Sequence, residues 1–384
     1  MGAPIYLDNH ATTQVDPRVF EVMKPFLEGQ FGNPSSTGHS YGWFAKESVE
    51  IAREQVAELI GATPKEIVFT SGATESNNLA ILGAARTARK GRVITLATEH
   101  SSVIASVEAL RREGFDAQVL PVEPSGLVDL DLLRSAVTDD TVLVSVMAAN
   151  NEIGTLQPLS EIAGICKEVG ALFHTDAAQI TGKVGFDVRE LGVDIASITA
   201  HKMHGPKGIG AMFVRKGRPK VRLTPVIYGG GQERGFRSGT LAPHQIAALG
   251  ASAKFAKEGL LSGEPAKMAA LRDRLFEIIR AVSGVTVNGA MTQRLPNNLN
   301  INVADIDGKA LVLALRAVAF SSGSACSSAS LKPSKVLTAI GADLSTDTAS
   351  LRFGIGRFTT AAEIETAGSV FVEQVERVRG LMKG

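Results

Sequence analysis

Seven short apolar runs, rich in β-branched residues, recur between residues 67 and 214 of this chain: Ile67–Thr70, Val93–Ala97, Gln118–Val122, Val142–Ala148, Ala171–His174, Ile195–Thr199 and Ala211–Val214. Helical patterns such as Asn77–Ala88, Val103–Glu113 and Leu159–Val169 fill most of the gaps. Alternation of this kind predicts βαβ units and a mostly parallel sheet covered on both faces. The last two runs lie too close in sequence for a crossover helix, so one of them is expected to be antiparallel. A length of 384 residues, 44% of them apolar, is ample for such a core, and 39 glycines suit its many tight turns.

The flanking sequence reads differently. Residues 1 to about 15 are irregular and Thr-rich, expected to pack against the C-terminal part. Asp16-Pro17 opens a helix, with Asp as cap and Pro at the first helical position. Gly32–Ser36 is a loop, and a second helix runs from about Gly42 to Ile60. A helix from Pro243 to about Lys257 ends in Glu258-Gly-Leu-Leu-Ser-Gly-Glu-Pro265, a boundary composition. Beyond it come a helix over 266–282, strands near 285–287 and Asn298–Val303, a helix over 308–317 and a closing helix from Ala361. The expected division is a large α/β domain, 16–258, and a small α+β domain made of 1–15 and 259–384.

Composition excludes several function classes. Net charge is +1 and no Lys/Arg block occurs, so nucleic acid is not an expected partner. No apolar run reaches the ~18 residues of a membrane span. The start, Met1-Gly-Ala-Pro-Ile-Tyr6, lacks a signal pattern, and Tyr6 stands where a myristoylation motif needs Ser or Thr. Two cysteines make no disulfide framework, which suits the cytoplasm.

Polar residues cluster where the apolar runs end, the usual position for chemistry in an α/β protein. After Ile195–Thr199 come Ala200-His201-Lys202-Met-His-Gly-Pro-Lys207-Gly-Ile-Gly210. A lysine directly after a buried strand is partly desolvated, which lowers its pKa and frees its amine to condense with a carbonyl. Spacing alone leaves Lys202 and Lys207 as solvated loop lysines equally well. Thr70-Ser-Gly-Ala73-Thr74-Glu-Ser-Asn-Asn follows a strand and opens a helix, so Gly72 and the free N–H groups form a candidate anion site. Asp176 in Phe173-His-Thr-Asp-Ala-Ala-Gln179 can pair with a protonated ring nitrogen, or simply cap a helix. Glu99-His100 and Asn150-Asn151-Glu152 also follow strands. His174, His201 and His204 lack the Cys or carboxylate spacing of a metal site, and no metal is expected.

The two cysteines contrast. Cys166 falls on one helix face with Ile162, Ile165 and Val169, capped by Ser160 and ended by Gly170, which makes it a core residue. Cys326 lies in Ser321-Ser-Gly-Ser-Ala-Cys-Ser-Ser-Ala-Ser330, a loop composition that suits a mobile nucleophile. Leu351-Arg352-Phe353 offers a guanidinium fork for a carboxylate, with Arg357 as competitor.

The segment Ser197-Ile-Thr-Ala-His-Lys202-Met-His-Gly-Pro-Lys-Gly-Ile-Gly210 resembles the lysine segment of the cysteine desulfurases, within the class V aminotransferase-like family. The resemblance runs from Tyr6-Leu-Asp-Asn-His-Ala-Thr-Thr13 to Gly356-Arg-Phe-Thr359. It implies the pyridoxal-phosphate-dependent transferase fold of type I, aspartate-aminotransferase-like, with a mostly parallel, mixed seven-stranded sheet and a small α+β domain. It implies pyridoxal 5'-phosphate held by Lys202. The phosphate would be cradled by Ala73, Thr74, Thr199 and His201, Asp176 would meet the ring nitrogen, Gln179 the ring hydroxyl, and His100 would stack on the ring and shuttle protons. Asn151 would contact the ring oxygen or the substrate carboxylate, and Arg352 the substrate. Cys326 matches the long-loop subgroup, in which this residue takes the substrate sulfur as a persulfide and meets an iron–sulfur cluster during transfer. Thr240, in Gly229–Thr240, would reach a neighbour's phosphate, which implies a homodimer.

The reading is therefore L-cysteine desulfurase: L-cysteine gives L-alanine, and the persulfide passes to an acceptor such as an iron–sulfur scaffold. A selenocysteine lyase or cystine β-lyase, and a non-catalytic assembly scaffold, are the alternatives. Two departures stand out: the chain stops soon after its closing helix, short of the tail that housekeeping members use near their scaffold, and His10 occupies a position often Asn.

Overall fold

In the computed structural model, which describes residues 3–322 and 333–383, seven strands form one sheet in the order Ile67–Thr70, Gly210–Val214, Ile195–Thr199, Leu172–Asp176, Thr141–Ser145, Arg92–Leu96, Asp116–Leu120. Only Gly210–Val214 runs against its neighbours. It is the second of the two closely spaced runs, and with no crossover between them it must turn straight back. The other runs read from the sequence lie within a few residues of these strands.

Apolar residues occupy consecutive positions because both faces are covered. Phe69, Ile94, Val144, Phe173, Ile198 and Phe213 enter one core, together with Val49, Val56 and Leu249 from helices Ser40–Leu59 and Pro243–Leu261. Val68, Val93, Leu143, Ile195 and Met212 enter the opposite core, under helices Ala73–Ala88 and Ser101–Arg112. Each large side chain so buried stabilises the fold by ~1.5–3 kcal/mol of transfer free energy. All strands but one point their carboxyl ends to the same edge, and that is where Ser71–Thr74, His100, Asp176 and Ala200–Lys202 emerge.

A separate core gathers Leu299, Ile301, Leu351, Phe353, Ile364 and Phe371. It lies beneath an antiparallel sheet ordered Ser321–Ser322, Ala349–Gly354, Asn298–Val303, Val285–Val287. The N-terminal segment joins it: Ile5–Tyr6 pairs in parallel with Val318–Ala319, and Leu7 is buried in that core. Thr13 instead bonds the main chain of His201, so the segment spans both cores.

Several helix ends differ from the sequence reading. The helix expected from Asn77 begins at Ala73, because the Glu75 carboxylate reaches back to the Ser71 N–H at 2.8 Å and holds the first turn. Ser160 does not cap Leu159–Val169: Pro158 occupies the cap position without a side-chain bond, and Ser160 is exposed inside the first turn. The helix from Pro243 continues to Leu261, past residue 258, because glycine at 259 does not break it. The turn falls at Gly263, in the left-handed region (φ +82°). No helix among the described residues is long and apolar enough to cross a membrane.

Candidate functional site

The strand-end edge opens into a cavity of about 580 Å³, lined among others by Gly72, Thr74, His100, Asn151, Asp176 and Lys202. Its floor starts at helix Ala73–Ala88, which no side chain among the described residues caps. Its first N–H groups therefore face the cavity as a partial positive charge. Gly72 takes φ +149°, a value open to glycine, and a Cβ there would approach only Thr199 Oγ1, at 3.7 Å. Gly210 is needed for a different reason: a Cβ at this position would lie 2.6 Å from the Cα of Gly72, so its absence lets the last strand end close under the turn.

Lys202 sits in a single helical turn, Ala200–Lys202, directly after the buried strand. Its amine donates to the main-chain carbonyl of His10. Burial is the main reason this amine is lowered to about 8, and the Arg352 guanidinium adds to the effect against Asp176 and Asp8. His201, beside it, is brought down to about 4 by burial and then by Lys202, Lys207 and Lys183, so it is neutral near pH 7. Its Nδ1 lies 3.2 Å from Thr12 Oγ1. Lys207 also lines the cavity, but Lys202 is the lysine placed under it by a strand end.

Asp176 ends its strand with both oxygens engaged, accepting from Ala178 N–H at 2.9 Å and from Asn77 Nδ2 at 2.7 Å. His100 caps helix Ser101–Arg112, its Nδ1 facing the Ser102 hydroxyl at 2.8 Å. Gln179 donates to the His10 carbonyl at 3.0 Å and accepts from Lys183 at 3.2 Å. Arg352 crosses from the smaller sheet to donate to the Asn151 carbonyl at 2.8 Å, Asp8 at 3.0 Å and Ser321 at 2.7 Å, while its Nε is buried without a partner among the described residues. Arg357 is bound instead by Asp16 and Glu264 at 3.0 and 2.9 Å, and it does not line this cavity.

Of the residues singled out in the sequence, the cavity brings together Ala73, Thr74, His100, Asn151, Asp176, Gln179, Thr199, His201, Lys202 and Arg352. Thr240 is exposed and does not line it. Cys326 lies outside the described residues. Cys166 is buried, and burial pushes its thiol up to about 12. His174 and His204 go to separate partners: His174 meets Ser145 and Ser197, and His204 meets the Gln14 carbonyl.

Three buried residues at or beside the site are given no role by the sequence reading. His10 is fully buried, its Nδ1 3.1 Å from Gln179 Oε1 and its Nε2 3.2 Å from the Asn297 carbonyl. Burial above all holds this ring well below the ordinary histidine range, and a neutral ring can donate to only one of the two oxygens. Lys183 is buried and lowered to about 7, by burial first and then by Lys202 and Arg352. Glu99 is buried with Oε2 unpartnered among the described residues, and desolvation raises its carboxyl well above the usual range. The Tyr6–Thr13 and Glu99-His100 motifs held the signal for the first and third. Nothing in the sequence marks Lys183.

Residues 5–366 match the aminotransferase class-V model, and the chain belongs to that family. It is 51% identical over 384 residues to a protein named cysteine desulfurase IscS in Dechloromonas aromatica, covering 99% of this chain and 94% of that one. It is also 51% identical to a mitochondrial cysteine desulfurase of Arabidopsis thaliana, covering 98% and 84%. A solved structure described as a NifS-like protein superposes with a TM-score of 0.89 at 38% identity, covering 97% of this chain and 99% of that one. The fold is thus the type I fold of pyridoxal-phosphate enzymes, and pyridoxal 5'-phosphate is the cofactor of the family. The cavity fits it: an uncapped helix start suits a phosphate, an accepting carboxylate a protonated ring nitrogen, and a desolvated amine an aldehyde.

Proposed function

We propose that this protein is an L-cysteine desulfurase that moves the substrate sulfur onto Cys326 and releases L-alanine. One observation carries the reading: Lys202, its amine lowered to about 8, shares a cavity with Asp176, His100 and an uncapped helix start. The relatives named cysteine desulfurase, about half identical over nearly the whole chain, support the substrate.

When bound, pyridoxal phosphate supplies the electron sink for the bonds broken in the substrate. Lys202 would hold it through its amine. The N–H groups of Ala73 and Thr74, with Thr199 and His201, would take the phosphate. Asp176 would keep the ring nitrogen protonated, and Gln179 and His100 would serve the ring oxygen and the ring face. Arg352 and Asn151 would orient the substrate carboxylate. The Cys326 thiolate attacks the substrate sulfur. A sulfur–sulfur bond forms, the carbon–sulfur bond breaks with its electron pair going to carbon, and that carbon takes a proton.

The same reading assigns 16–258 to the cofactor-bearing domain and 1–15 with 259–384 to the domain that closes over it, in keeping with the two cores. Thr240, exposed and away from its own cavity, supports a homodimer in which it serves the neighbouring site. The persulfide passes to a protein thiol of the iron–sulfur scaffold type, in the cytoplasm.

The test is incubation of the coenzyme-loaded protein with L-cysteine and a reductant. Alanine and sulfide are expected in equal amounts, and without reductant the Cys326 peptide should gain one sulfur. Pyruvate and ammonia instead of alanine would assign a β-lyase. Alanine from selenocysteine but not from cysteine would assign a selenocysteine lyase.

A further inference from the structure

Asn77 lies in helix Ala73–Ala88, completely buried, one turn behind the anion-facing start. Its side-chain nitrogen uses both hydrogens: one goes to Asp176 Oδ2 at 2.7 Å, the other to Ser102 Oγ at 2.9 Å. Its carbonyl oxygen is buried with no partner among the described residues. A buried orphan acceptor is costly, and rotating the amide would not cure it. The oxygen would then face the Asp176 carboxylate, acceptor against acceptor. The orientation is therefore dictated by Asp176.

The hydrogens can be followed further. Ser102 Oγ accepts from Asn77, and its own single hydrogen has His100 Nδ1 as its neighbour, at 2.8 Å. The Ser102 main-chain N–H also points at Nδ1, at 3.2 Å. With two donors aimed at it, Nδ1 accepts, and a neutral ring must carry its proton on Nε2. Nε2 has no hydrogen-bond partner among the described residues, and His100 lines the cavity. One amide thus ties the carboxylate at one end of the site to the imidazole at the other.

We infer that Asn77 is a positioning residue of the site: it fixes the Asp176 carboxylate directly and, through Ser102, sets His100 as the Nε2–H tautomer. This rests on the proposed reading of the cavity as the coenzyme site. Because the chain of donors runs one way, a side chain of the same shape with fewer hydrogens cannot replace it.

The test uses protein labelled with ¹⁵N-histidine, with His100 assigned by its loss in His100→Gln. In the unsubstituted protein, Nδ1 of His100 should resonate as a bare acceptor and Nε2 as protonated. Asn77→Asp is nearly isosteric but offers at most one hydrogen. It should move His100 towards a tautomer mixture and weaken pyridoxal-phosphate binding on the order of tenfold or more, while borohydride still fixes the coenzyme on Lys202. Ser102→Ala removes the hydroxyl donor and leaves Nδ1 only the longer main-chain N–H contact. It should therefore move the His100 signals in the same direction yet leave coenzyme affinity within about threefold, because the Asn77–Asp176 contact survives. This second variant decides the matter if the first does not fold. Unchanged His100 nitrogen shifts in folded Ser102→Ala, or a protonated Nδ1 in the unsubstituted protein, would overturn the inference. Failure to bind pyridoxal phosphate at all would sink the functional reading and leave the tautomer result standing.

Discussion

The Lys202 amine donates to the main-chain carbonyl of His10, 192 positions earlier in the chain, and the Gln179 amide donates to the same oxygen. The N-terminal segment is therefore part of the site floor, holding the lysine in place from below. It also bridges the two cores, since Leu7 is buried in one and Thr13 bonds His201 beneath the other.

Lys202 at about 8 sets the pH course of coenzyme uptake. At pH 7 about one-tenth of such an amine is uncharged, against well under one-thousandth at the ordinary lysine value. Recombination of the coenzyme-free protein with pyridoxal phosphate, followed by visible absorbance, should speed up about tenfold between pH 7 and pH 9 and level off above pH 8. A rate still climbing steeply at pH 10 would show that the amine is not lowered.

Glu99 governs stability in the opposite direction from a paired carboxylate. Its folded pKa is raised, mainly by desolvation and further by Asp176, so the folded state binds the extra proton. Stability from this group is complete below the unfolded value near 4.5 and is lost as pH rises through the folded value. Glu99→Gln keeps an oxygen for the Met147 N–H, which donates to Oε1 at 2.7 Å, and cannot ionise. The variant should gain on the unsubstituted protein by ~1–3 kcal/mol at alkaline pH and by less in acid. Thermal melts from pH 5 to pH 9 measure this, and a difference that does not grow with pH refutes it.

The sheet is legible in the sequence because a strand buried on both faces leaves an unbroken apolar run, as in Ile195–Thr199. The strand-end residues follow from the same reasoning, since polar groups after such runs have one edge to go to. Helix starts are harder. Thr74 and Ser76 look like loop residues until Glu75 is seen bonding Ser71, and the Ser160 assignment fails because Pro158 takes the cap position. Long-range partners are not legible at all. No periodicity brings His10 to Gln179, Asn77 to Asp176, or Arg352 to Asp8, because these contacts depend on how three separate segments pack.

Cys166 and Cys326 should differ in reactivity as sharply as in sequence context. Cys166 is buried and its thiol is pushed up to about 12, so at pH 8 almost none is thiolate. Iodoacetamide applied to the folded protein should label the Cys326 peptide alone and abolish sulfide production in step with labelling. Labelling of Cys166 should require denaturant. Cys166→Ser should cost ~1–3 kcal/mol of stability for the buried hydroxyl and keep turnover in the folded fraction. Rapid native labelling of Cys166, or full activity after Cys326 is blocked, would contradict this assignment.

Thr240 provides the test of subunit sharing. It is exposed in its own chain and absent from the cavity lining, while the loop before it is fixed from within: Arg237 pairs with Glu75 at 2.9 Å, and Glu233 with Arg53 at 2.8 Å. The Arg53–Glu233 pair is buried, and breaking it by removing one partner costs ~3–5 kcal/mol, so the loop is held in one course rather than free to fold back. If its end serves a neighbouring site, Lys202→Ala and Thr240→Ala damage the same site only when they meet there. A heterodimer of the two variants then has one site with both defects and one with neither. Mixed, unfolded and refolded together, the two weak variants should regain up to about half the unsubstituted activity per heterodimer, since one of two sites is intact. Separable tags allow the heterodimer to be isolated before assay. If each subunit builds its site alone, every site in that heterodimer carries one defect, and activity stays at the average of the two parents.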